Sequence, residues 1–110
     1  METVAKAKSV RSSARKIRLV ADQIRNKPVT KALYILENSP RKGAQILRKL
    51  VNSAVANATY LHNVHPDDLR IKEVFVNEGQ TKKRFMPRAH GRATIIRKRT
   101  AHVHVRLTDE

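Results

Sequence analysis

Residues 79–100 read GQTKKRFMPRAHGRATIIRKRT. Eight of them are basic: Lys82, Lys83, Arg84, Arg88, Arg92, Arg97, Lys98 and Arg99, and none is acidic. Pro87 and Gly91 punctuate the middle. The flanks alternate as strands do. Ala101, Val103, Val105 and Leu107 lie in one phase, with His102, His104 and Arg106 in the other. Upstream, the run from Leu69 to Val76 is also a strand, but its alternation slips near Glu73. Leu69 and Ile71 are in one phase, Val74 and Val76 in the other, which a β-bulge explains. The whole predicts a long β-hairpin with its turn around residues 87–91. An arm of ten extended residues reaches about 33 Å. So few apolar side chains cannot hold such an arm by packing, and it needs an external surface.

Working back toward the N-terminus, residues 62–68 (HNVHPDD) are a loop. Before it, Leu47, Leu50, Val51, Ala54, Val55, Ala58 and Leu61 form a helical apolar stripe. Ser39 as N-cap and Pro40 in the first turn predict a long helix over about residues 40–61. The small Ala54 and Ala58 would allow close approach of a neighbour. A shorter helix, capped by Thr30, should bury Ala32, Leu33, Ile35 and Leu36. Ser12 or Ser13 is the N-cap of a first helix, with Ile17, Val20, Ala21 and Ile24 on its apolar face. Asn26-Lys27-Pro28 stops that helix. At the start, Ala5, Ala7 and Ser9 alternate with Lys6 and Lys8, as in a strand with one basic face.

The 110 residues suit one domain, with 79–100 protruding from it. Aromatics are 4% of the chain, so the core must be aliphatic. The net charge of +15 repels itself in the compact state and calls for a polyanion. The charge is also segregated. Between Glu2 and Asp22 every charged residue is basic: Lys6, Lys8, Arg11, Arg15, Lys16 and Arg18. Between Glu78 and Asp109 the same holds. Soluble surfaces normally mix both signs, so two phosphate-contacting surfaces are expected. Irregular basic extensions favour RNA over DNA, because folded RNA is recognised largely by shape. No RNA-binding sheet with paired aromatics is recognisable. Phe85 in the arm either stacks on a base or contacts its own hairpin. An anionic membrane is a poorer partner, since no apolar run is long enough to span one.

Chemistry beyond binding finds little support. The absence of cysteine excludes disulfides and thiolate zinc sites and fits a reducing cytosol. His62/His65 and His102/His104 have usable metal spacings, but zinc needs three or four ligands. Asp67 and Asp68 are the only adjacent carboxylates besides Asp109 and Glu110, too few for a magnesium nuclease. Three glycines make no phosphate-cradling loop. Ser12 and Ser13 have no base near them in sequence. No enzyme, cofactor or metal is expected.

Residues 11–21 (RSSARKIRLVA), 54–58 (AVANA), 84–93 (RFMPRAHGRA) and 96–100 (IRKRT) together resemble the family of bacterial large-subunit ribosomal protein twenty-two. Their order and spacing cover essentially the whole chain. His90 departs from the Lys that many relatives have. The resemblance implies an α+β fold, with three helices packed on a small three-stranded antiparallel sheet and a long extended β-hairpin. It implies a structural constituent of the large subunit in the cytoplasm, bound to 23S-type rRNA and assisting assembly. It also implies that the hairpin tip lines the nascent-polypeptide exit tunnel. The partners implied are that rRNA, neighbouring ribosomal proteins including the other tunnel-constriction protein, and the nascent chain; no stable homo-oligomer is expected. The expected rRNA-binding residues are Lys6, Lys8, Arg11, Arg15, Lys16, Arg18, Lys82, Lys83, Arg84, Arg92, Arg97, Lys98 and Arg99. The expected tunnel-lining tip is Arg84, Met86, Pro87, Arg88, Ala89, His90, Gly91 and Arg92. Two rivals are a nucleoid or RNA-chaperone protein, which would bind DNA comparably, and a small RNA-processing enzyme, which would need Asp67 and Asp68.

Overall fold

A computed structural model describes residues 1–87 and 93–110, with side chains for 1–81 and 99–110. Strand β1 (Glu2–Val10) leads into three helices, α1 (Ala14–Ile24), α2 (Val29–Glu37) and α3 (Lys42–His62). A 3-10 turn (Pro66–Asp68) precedes β2 (Arg70–Glu78), then β3 (Lys82–Pro87), β4 (Ala93–Lys98) and β5 (Ala101–Thr108). The main sheet is antiparallel in the order β1-β5-β2, and β3 pairs with β4. The helices cover one face of the main sheet: α1 lies against β2, α3 against β1 and β5, and α2 against α3. This is the expected α+β architecture.

Alternation decides which sheet face is covered. Ala101, Val103, Val105 and Leu107 of β5 are buried, as are Ile71, Val74 and Val76 of β2. The change of phase within β2 is a register shift between Ile71 and Glu73, the bulge that the sequence slip implied. On α1, Ile17, Val20, Ala21 and Ile24 are all fully buried. Gly43 at the start of α3 sits where a Cβ would come within 3.3 Å of the Ile17 Cα, so its lack of a side chain lets the two helices meet.

Helix boundaries depart from expectation at the starts of α2 and α3, and burial departs from it on both helices. Thr30 is not a cap, because α2 starts at Val29 behind Pro28, whose fixed φ presets the turn. Leu33 and Ile35 are only partly buried. The start of α3 is Lys42, not Pro40: the Ser39 hydroxyl accepts from the Arg41 N–H, a local turn that competes with helix. Leu61 is exposed, since burial on α3 stops at Ala58. Ser13 is the cap of α1, accepting from Lys16 N–H at 3.4 Å.

The outer edge of β2 is closed by two devices. Backbone N–H groups of Asn26 and Val29 donate to the Ile71 and Leu69 carbonyls at 3.1 and 3.0 Å. Beyond the bulge, Arg25 donates to the Val74 carbonyl and Arg18 Nε to the Val76 carbonyl, both at 2.8 Å. Unpaired edge groups invite pairing with another chain, and these four carbonyls are instead satisfied within the fold.

The β3–β4 pair continues from β2 and β5. Gly79 N–H donates to the Thr100 carbonyl at 2.9 Å, and the Thr100 hydroxyl to the Gln80 carbonyl at 2.7 Å. The Cα radius of gyration is 17.0 Å, with extents of 62 × 25 × 17 Å. A compact chain of about this length has about 13 Å, so the molecule is strongly elongated.

Candidate nucleic-acid interface

The N-terminal end of α1 gathers basic side chains from three parts of the chain. On one side, Arg11 and Lys16 share a cleft of about 520 Å³ with Arg41 and Lys42 at the start of α3. Lys42 Nζ donates to the Arg11 carbonyl at 3.2 Å, tying the two segments together. Neither α1 nor α3 has an acidic residue in its first turn, so no carboxylate of that turn offsets the positive dipole end. On the other side, Arg15 meets Arg99 at the base of the arm across a cleft of about 390 Å³ that also holds Glu78. A basic ridge thus runs from the start of α3, over the start of α1, to the root of β4.

Lys6 and Lys8 lie apart from this ridge, exposed on the face of the sheet away from the helices. Arg18 is likewise separate, its Nε held by the Val76 carbonyl. In the arm, backbone register sets Lys82 opposite Lys98 and Lys83 opposite Arg97, and Phe85 opposite Ile95. Residues 88–92, with most of the expected tunnel-lining tip, lie outside the described residues.

A family model described as ribosomal protein L22p/L17e matches residues 5–108. The chain belongs to that family. It is therefore a constituent of the large ribosomal subunit, it binds rRNA, and its place is the cytoplasm. L22p/L17e proteins are structural rather than enzymatic in kind. His65 accepts from the Asp67 N–H at 3.2 Å and caps the 3-10 turn. His102 accepts from Ser9 N–H at 3.0 Å and closes the bulge of β1, where Ser9 has φ 56°. Among the described residues no three His, Asp or Glu side chains cluster closely enough to hold a metal ion.

Arg41 and Lys42 are the interface candidates that sequence reading missed. They sit among mixed-sign neighbours in sequence, and only the approach of α3 to α1 at Gly43 brings them beside Arg11 and Lys16. For Arg18 the geometry assigns a different weight. Arg18→Ala should lower stability by about 0.5–1.5 kcal/mol, the net worth of a hydrogen bond. It should leave the salt dependence of rRNA binding unchanged. Chemical denaturation, with affinity measured against salt, checks both halves.

Proposed function

We propose that this protein docks on large-subunit rRNA through the ridge and the arm, assists assembly by joining RNA segments, and lines the exit tunnel with the arm's tip. The phosphate ligands are Arg11, Arg15, Lys16, Arg41 and Lys42 on the ridge, and Lys82, Lys83, Arg84, Arg92, Arg97, Lys98 and Arg99 in the arm. Lys6 and Lys8 serve RNA from the sheet face. The observation that carries this reading is the register of the arm. Like charges directly opposite one another destabilise a ladder, and here two successive rungs set basic against basic. A hairpin built that way is stabilised by polyanion on its flanks, and rRNA phosphate supplies it. No catalytic role is assigned.

Within this reading the tip, residues 84–93, has a task distinct from anchoring, facing the nascent chain beside a neighbouring protein. Ala89 and Gly91 bring little side-chain volume to it, while Arg88 brings a positive charge. Phosphate binding is spread over many contacts, so loss of a few weakens docking without abolishing it. Deleting residues 82–84, or replacing Gly91 by Trp, should leave the protein in large subunits. Nascent-chain pausing and the response to macrolide-type drugs should change. Gradient analysis of subunit occupancy, with pausing and drug assays on the same ribosomes, checks this. Normal occupancy with normal pausing and drug response refutes the tunnel role; loss of occupancy makes the tip an anchor.

A further inference from the structure

The face of the sheet away from the helices carries a feature that phosphate binding does not use. Phe75 of β2 and His104 of β5 are direct cross-strand partners. Their rings stack with centroids 5.7 Å apart and planes 20° apart. Phe75 is nevertheless 47% exposed, so its ring offers surface outward. Lys6 of β1 is the other cross-strand partner of His104, so Lys6, His104 and Phe75 form one row across all three strands. A shallow cleft of about 450 Å³ opens there, also bordered by Lys8, Asn77 and His102.

Charge on this face is divided along the strands. One row over from His104, Arg106 pairs with Glu73 at 3.1 Å and faces Glu2, which is also bonded to Lys72. The Lys, Arg, Asp and Glu side chains lining the cleft beside the aromatic pair are Lys6 and Lys8, and neither joins an ion pair among the described residues. Burial, with Lys6 and Arg106 adding to it against Glu73, holds the His104 pKa below the usual imidazole value. The neutral form of the ring is therefore favoured. Its Nδ1 is shielded and has no hydrogen-bond partner among the described residues, so the ring contributes its face.

We propose that this sheet face binds an unpaired RNA base, stacked on the Phe75–His104 pair, with flanking phosphates on Lys6 and Lys8. The proposal rests on the rRNA-binding reading and adds a second mode of contact to it. The ridge and arm track phosphates, whereas the platform captures a base splayed out of the RNA fold. Every base has a π-face, so such stacking tolerates sequence. Single-stranded loops and bulges are where RNA offers such bases. The cleft's volume lies within the range of small-ligand sites, and its two lysines match the backbone charge.

The chain contains no tryptophan, so Phe75→Trp places a single fluorescent reporter on the platform of the full-length protein. The probes are an unstructured adenosine hexamer and an abasic hexamer with the same number of phosphates. The expected result is quenching by the adenosine hexamer and not by its abasic counterpart. Phe75→Leu keeps an apolar side chain at a half-exposed position, and circular dichroism verifies its fold. It should weaken binding of the adenosine hexamer by about fivefold or more, the low end of one stacked base, without altering the salt slope.

Equal quenching by both hexamers, or unchanged affinity in Phe75→Leu, overturns the platform. If a large rRNA fragment still binds with its usual salt dependence, the rRNA reading survives that failure. If the wild-type protein does not bind the fragment at all, the broader reading falls with it. Equal quenching by a polyglutamate peptide also overturns the proposal, in favour of an acidic protein partner.

Discussion

Replacing Arg11, Lys16, Arg41 and Lys42 together by alanine should weaken binding to a large-subunit rRNA fragment by roughly 200- to 1,000-fold at 0.15 M salt. The magnitude follows from counterion release. Each phosphate contact contributes roughly 0.7–0.9 to the log–log salt slope, so four contacts flatten it by roughly 2.8–3.6. At 0.15 M salt that corresponds to roughly 2.3–3 decades of affinity. The four side chains line one cleft, and no carboxylate shares it. Their removal leaves the core intact, because all four are exposed. Affinity measured over a salt series checks the prediction. A slope unchanged within error would mean that the cleft is merely solvated.

Ile17→Ala should destabilise the free protein by about 2–5 kcal/mol, the cost of removing a buried aliphatic side chain and leaving a cavity. Ile17 is fully buried and lies directly under Gly43, at the crossing of α1 and α3. Collapse into the space left is restricted there, since the helices already meet backbone to side chain. For a domain of this size each kcal/mol moves the melting temperature by about 4–8 °C. A loss near 3 kcal/mol therefore lowers it by roughly 12–24 °C. Calorimetry checks this, and a shift of only a degree or two would contradict the packing described. The same variant links core to interface. At temperatures where it is still folded, α1 and α3 hold the ridge and rRNA affinity should be close to normal; above its midpoint, affinity should fall with the folded fraction.

Much of this was legible in the sequence because single-strand and single-helix patterns need no partner to be read. The alternation of residues 101–107 put four side chains inward, and all four are buried. The phase slip at Glu73 located a bulge to within a residue. Ile17, Val20, Ala21 and Ile24 lie on the buried face of α1 as their spacing required. What escaped depends on the relation between elements. Arg41 and Lys42 join the ridge only because a glycine lets α3 meet α1. Arg18 and Arg25 look like any surface arginines until β2 is seen to present bare carbonyls beside them. Phe75 and His104 are twenty-nine residues apart, and only antiparallel register makes them a pair. The start of α3 was misplaced because Ser-Pro at residues 39–40 is a strong helix signal, yet the serine hydroxyl satisfies a local turn instead. Residues 88–92, where the tunnel-lining expectation drawn from the family resemblance is concentrated, lie outside the described residues.

The proposed rRNA contacts of the ridge and the arm are open to ultraviolet crosslinking within purified large subunits, followed by mass-spectrometric identification of the peptides that carry nucleotides. The account predicts crosslinks on peptides containing residues 11–16, 41–42 and 82–99, and none on α2 or on the exposed last turn of α3 around Tyr60 and Leu61. Crosslinks confined to α2 and that last turn, with the ridge and arm free of nucleotides, would contradict it.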